Sequence, residues 1–77
     1  MKHKVDLHLL QRIDRELPYF TDDDEEIRLI AEMLEWKLLE AQLPALGVDG
    51  LYVGPAKVFR LRPRGQAALQ NDGDTLI

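Results

Sequence analysis

Apolar residues recur at helical spacing through the first half of the chain and at strand spacing in part of the second. Leu9, Leu10, Ile13 and Leu17 fall on one face of a stretch from Val5 to Leu17, with Asp6, Gln11, Arg12, Arg15 and Glu16 on the others. That pattern predicts an amphipathic helix. Pro18 ends it, because the residue before a proline avoids the helical region. A second helix is predicted to start after "PYFT". Thr21 is the expected N-cap, and Asp24 three residues on completes a capping-box-like pair. The acids Asp22 to Glu26 then meet the positive end of the helix dipole. Tyr19 or Phe20 is placed to fold back onto the helix as a staple. The content of Leu, Glu, Ala, Met and Lys predicts helix as far as Gln42, before Pro44 and Gly47. Such a helix is roughly 30 Å long, so a break near Glu35 to Lys37 is the alternative. It carries two apolar stripes: Ile27, Ile30, Leu34, Leu38 and Ala41, and Leu29, Met33 and Trp36.

"LPALGVDG" reads as a connection with turn residues Gly47, Asp49 and Gly50. "LYV" is a short strand, "GPA" a turn and "KVFRLR" the return strand. Strict alternation along the last puts Phe59 and Leu61 on one face, expected to point inward, and Val58, Arg60 and Arg62 on the other. Pro63 suits a first helical position. "RGQAALQ" gives a short third helix with Leu69, and Ala67 or Ala68, turned inward, and "NDGDTLI" a tail. The expectation is an α+β domain spanning residues 1–77: two N-terminal helices, a two-stranded antiparallel hairpin and a short C-terminal helix. Residues 1–4 and 71–77 are expected to fray.

The stretch "LYVGPAKVFRLRPRGQAAL" resembles the wing and following helix of winged-helix domains. In many of these an aromatic strand leads into Leu-Thr-Pro-Lys-Gly and a helix ending in Leu. Phe59, Leu61, Pro63, Arg64, Gly65 and Leu69 fit that pattern. "MKHKVDLHLLQRI" is also similar to the first helix of small bacterial and phage-associated winged-helix proteins. The resemblance implies the fold and leaves DNA reading and protein adaptation both open. Two features depart from it. Arg62 replaces the capping threonine, and one long helix stands where a helix-turn-helix pair is usual. The polar face of that helix, Glu25, Arg28, Glu32, Glu35 and Glu40, sets carboxylates against phosphates.

Charge sharpens this point. The net charge is −4. Residues 21–40 hold Arg28 and Lys37 against eight acids, whereas Lys57, Arg60, Arg62 and Arg64 lie within eight positions. The chain is bipolar, with an acidic middle and a basic end. Its 77 residues make a small domain with a thin core. It has no cysteine, so it has neither disulfide nor thiolate metal site. No apolar run is long enough for a signal peptide or membrane span, and a cytoplasmic location is expected.

Candidate chemistry is sparse. Serine and cysteine are absent, and the threonines are Thr21, a cap, and Thr75 in the tail. The usual nucleophiles are therefore missing. His3 and His8 lack further ligands at metal spacing. "TDDDEE" has neither the alternating ligands nor the central glycine of a calcium loop. Gly47, Gly50 and Gly54 form no phosphate-binding fingerprint. A non-enzymatic protein without metal or cofactor is expected. Its expected role is an interaction or regulatory module with a protein partner or a second copy of itself. Leu29, Met33 and Trp36 are the candidate interface, Trp36 being the natural anchor. The alternative is a DNA-binding regulator using Lys57, Arg60, Arg62 and Arg64, opposed by the acidic helix.

Overall fold

The computed structural model describes residues 2–4, 6–70 and 74–76, with side chains for 6–70. The first element is a strand, β1 (Lys2–Lys4). Helix α1 spans Leu7–Arg15, shorter than the periodicity predicts. Val5 lies outside the described residues. Asp6 caps α1, its Oδ1 accepting from the Leu9 amide at 3.0 Å. Glu16 closes the helix, two residues before a cis Leu17–Pro18 peptide. Leu9, Leu10 and Ile13 are buried and Leu17 half-buried, as their spacing implies.

Tyr19–Thr21 form strand β2 instead of a helix entry. Helix α2 runs Asp24–Glu35. Its cap is Asp23, not Thr21: Asp23 Oδ2 accepts from the Glu26 amide at 3.0 Å. Thr21 Oγ1 instead accepts from the Asp23 amide at 3.2 Å and shapes the approach. The helix stops at Glu35, well short of Gln42. Lys37 takes a left-handed φ of 61°. The Leu38 amide bonds the Met33 carbonyl at 2.9 Å and the Lys37 amide bonds that of Leu34 at 3.0 Å. This is a Schellman stop, with Met33 and Leu38 both buried beside it. Glycine is the usual residue at that left-handed position. Lys37→Gly is therefore expected to stabilise the fold by about 0.5–1 kcal/mol, raising the melting midpoint by about 3–6 °C. A lowered midpoint would remove the strain argument.

Leu39–Gln42 leave the helix as strand β3. Short strands β4 (Ala45–Leu46) and β5 (Tyr52–Val53) pair antiparallel, and β6 (Ala56–Leu61) pairs antiparallel with both β2 and β3. The main sheet has the order β2–β6–β3. The predicted hairpin between "LYV" and "KVFRLR" is therefore replaced by a longer one. It runs up through β3 and β4 and back through β5 and β6, and its turn is at Gly47–Gly50. "GPA" is an irregularity on its return side, where Gly54, Pro55 and Ala56 oppose Leu43 and Pro44.

Helix α3 spans Pro63–Gln70, opened by Pro63 as expected, with Ala68 buried and Leu69 half-buried. Asp74–Leu76 form β7 and pair with β1 where fraying is predicted. Residues 71–73 and 77 of the predicted tail, and Met1, lie outside the described residues. Among the described residues the fold is α+β: three helices and small antiparallel sheets. Its core joins Leu9, Leu10 and Ile13 of α1, Ile30 and Met33 of α2 and Ala68 of α3 to the sheet's inner residues Tyr19, Leu39, Val58 and Leu61.

The inward face of β6 differs from simple alternation. Leu61 pairs with Leu39, and Arg60 with Glu40, but the next pair is Ala41 with Val58. Phe59 is the extra residue of a β-bulge. The bulge swaps two predictions: Val58 is fully buried and Phe59 is exposed.

Candidate interaction surfaces

The predicted interface on α2 is mostly inside the fold. Met33 is 2% exposed and belongs to the core, and Leu29 and Trp36 are half-buried against it. Ile27, Ile30 and Met33 form the buried stripe, so the two predicted stripes merge into one wide inward face. Strand β3 packs against α2 and helps to cover this face.

Around α2 the polar groups are structural. Tyr19 donates from its hydroxyl to Glu26 Oε1 at 2.7 Å, and Arg12 Nη1 meets Glu26 Oε2 at 3.3 Å. Glu26 thus ties α1, β2 and α2 together. Burial, and then the bond to Glu26, holds the Tyr19 hydroxyl above its ordinary pKa. The bond to Tyr19, then the charge of Glu26, raises that of Arg12. A tyrosine raised in the folded state keeps its contribution below the unfolded value and loses it as pH climbs through the folded one. Among the described residues no three His, Asp or Glu side chains converge as a metal ion requires.

Two surfaces remain open. The first is the tip of the long hairpin, a β4–β5 arm. Its turn is built from Gly47, whose carbonyl accepts from the Gly50 amide at 3.0 Å, and from Asp49, whose Oδ1 accepts from the Leu51 amide at 3.1 Å. Gly50 has φ 83°, as the left-handed position of a three-residue hairpin loop demands. The arm exposes Leu46 by 61%, Leu51 by 48%, Val53 by 67% and Val48 completely. Its base is tied to α2, where Asp24 Oδ1 accepts from the Tyr52 amide at 3.1 Å. An open cleft lined by Phe20, Thr21, Asp22, Tyr52 and Pro55 lies there. The sequence signal was the Asp49–Gly50 dipeptide with Leu46 and Val48 before it and Leu51 and Val53 after it. That is a hairpin pattern read above as a connection.

The second surface is the outer face of the main sheet. Phe20 on β2 lies opposite Lys57 on β6. The Lys57 ammonium sits 5.3 Å from the Phe20 ring centre and 5.1 Å from that of Phe59. Arg60 forms an ion pair with its cross-strand neighbour Glu40. That bond, with Arg60 and Arg62 nearby, holds the Glu40 carboxyl below its ordinary pKa. Arg62 and Arg64 are exposed, Arg64 donating to the Trp36 carbonyl at 3.3 Å. The four predicted cations thus lie along β6 and its exit, but only Lys57 and Arg60 belong to the strand itself. The aromatic members of this face, Phe20 and Phe59, were missed. One was assigned as a staple and the other to the core.

Compared with family models, curated proteins and solved structures, the chain matches none of them. Among the described residues no helix is long and apolar enough to cross a membrane.

Proposed function

We propose that this chain is a small, non-enzymatic, cytoplasmic interaction module of winged-helix-like build. In this reading it binds a protein partner through the β4–β5 arm. The carrying observation is that four aliphatic side chains, Leu46, Val48, Leu51 and Val53, stand exposed on one two-stranded projection. The register puts Leu46 on one face of this ribbon and Val53 on the other, so the projection offers apolar contact on both sides. It is also a two-stranded element that can take a further strand along its edge. Asp22 and Asp24 at its base, and Asp49 at its turn, favour a partner whose apolar groove is flanked by basic groups. The module keeps the role expected of Leu29, Met33 and Trp36 but moves it from the helix to the arm.

The duplex-DNA reading has less support. Arg60 is paired with Glu40 and Arg64 with a backbone carbonyl. Among the described residues strand β2 separates α1 from α2, so the two are not joined as a helix-turn-helix pair. The exposed acids of α2 also oppose phosphate.

A photo-crosslinking residue at position 48, in cells that make the protein natively, tests the arm. It is expected to give a discrete adduct with one partner, while the same residue at Glu32 on α2 gives none. No adduct from position 48, or equal adducts from both positions, rejects the arm as the contact surface.

A further inference from the structure

The outer sheet face has a composition that the arm does not. Phe20 and Phe59 are 58% and 47% exposed, and Lys57 stands against both rings. Arg60 and Arg62 continue the same face towards α3 and border one surface depression with Glu40, Pro63 and Gln66. Two cross-strand facts hold the rings there. Phe20 is in register with Lys57, and the bulge turns Phe59 outward beside it. Burial alone gives no reason for two phenylalanines in water on a sheet this small. Without the bulge, Phe59 would have been in the core.

We infer that this face is a binding platform for single-stranded DNA. The argument is complementarity of two kinds. Rings on an antiparallel sheet offer flat apolar surfaces on which unpaired bases stack, whatever their sequence. Lys57, Arg60 and Arg62, against Glu40, which pairs with Arg60, and Asp22 beside Phe20, leave the same face a small positive balance for phosphates. A duplex hides its base faces, so the rings would add nothing to duplex binding. A neutral or basic peptide would use the rings but would not call for the cations beside them. Stacking and phosphate contact do not require a 2′-hydroxyl, so single-stranded DNA is the ligand proposed, and oligouridylate tests that choice. The acids of α2 do not oppose this ligand as they oppose a duplex. The strand lies on the sheet's outer face, whereas α2 supplies Ile30 and Met33 to the core beneath its inner face.

The site borders the base of the arm at Phe20 but not its tip, and the test keeps the two apart. The probe is a fluorescently labelled ten-nucleotide oligothymidylate, titrated with the full chain and followed by polarisation. At about 50 mM salt a dissociation constant of roughly 10–100 µM is expected, given so few cations. Two phosphate contacts on a single strand, from Lys57 and Arg62, predict a log–log salt slope of about −1.4. Phe59→Leu keeps the bulk but removes the ring and is expected to weaken binding about tenfold, while Phe59→Tyr restores it. Val48→Asp on the arm leaves affinity unchanged. Circular dichroism of each variant establishes that it is folded. Any of these outcomes would overturn the inference: no binding at low salt, equal binding of a ten-base-pair duplex, equal affinity of the Phe59→Leu and wild-type proteins, or tenfold tighter binding of oligouridylate. Loss of binding in Val48→Asp would also overturn it, because the ligand would then sit on the arm.

Discussion

Replacing Gly65 by alanine is expected to lower the melting midpoint by about 15–20 °C, a loss of about 3 kcal/mol. Helix propensity alone predicts the opposite, since alanine in place of glycine favours a helix by about 1 kcal/mol. The sign of the shift therefore decides between two forces. Gly65 is buried in the first turn of α3, where the helix backbone presses on the turn that follows α2. A Cβ at this position would lie 3.0 Å from the Leu38 carbonyl carbon and closer still to its oxygen. That neighbour is backbone and cannot swing away. It is also held in place, because the same Leu38 oxygen accepts from the Arg62 amide at 2.9 Å. Making room means lifting α3, which breaks that bond and exposes Leu38, Leu61 and Ala68. A domain of this size has a total stability of about 4–11 kcal/mol, so much of it would go. Thermal unfolding followed by circular dichroism checks this, with Gln66→Ala, at the exposed next residue, as the neutral control. A Gly65→Ala midpoint within about 3 °C of wild type would remove the close approach as the reason for glycine.

Val58→Asp is expected to cost more than about 4 kcal/mol, whereas Phe59→Thr stays within about 1 kcal/mol of wild type. Val58 is fully buried among Tyr19, Leu39, Ile30 and Met33 of the core, with no group to receive a carboxylate. Its neighbour Phe59 is half in water and leaves only a contact with Lys57. Urea unfolding midpoints of the two variants read the difference directly. The reverse order, a tolerated Val58→Asp and a damaging Phe59→Thr, would mean that the strand keeps its alternation and that no bulge exists.

These two positions show how far the amino-acid pattern reaches. "PRGQAAL" is legible as a helix opened by proline, and the structure supplies the reason for its glycine: contact with a carbonyl distant in sequence. Val58 and Phe59 were misassigned because alternation assumes one residue for one residue, and a bulge depends on the partner strand as much as on this one. The end of α2 at Glu35 was legible only as the alternative break near Glu35 to Lys37, for a related reason. Leu38 to Gln42 contain good helix formers, but pairing with β6 outweighs a propensity of a few tenths of a kcal/mol per residue. The helices α1 and α3 were readable because their signals are local. The hairpin arm was readable in its turn, Asp49–Gly50, yet not in its extent, since Leu39 was assigned to a helix. As for the surfaces, the basic residues were found by charge. The exposed rings and the aliphatic arm were not, because an apolar residue in a short chain is assigned to the core until a structure shows the core already full.

The position of β6 in the sheet has a consequence for how the protein is made. β2 and β3 do not touch each other; each pairs with β6, which comes after both in the chain. Until Ala56–Leu61 have been synthesised, the growing chain has α1 and α2 but not the main sheet to lay them on, and Tyr19 and Leu39 have no strand partner. The core can close only once the central strand is present and α3 packs over Leu38. A chain cut short before Ala56 would have two unpaired strands and an open apolar surface, a state prone to aggregation and proteolysis. Folding of this small protein therefore waits on its second half, and its first half alone is expected to be cleared, not to persist.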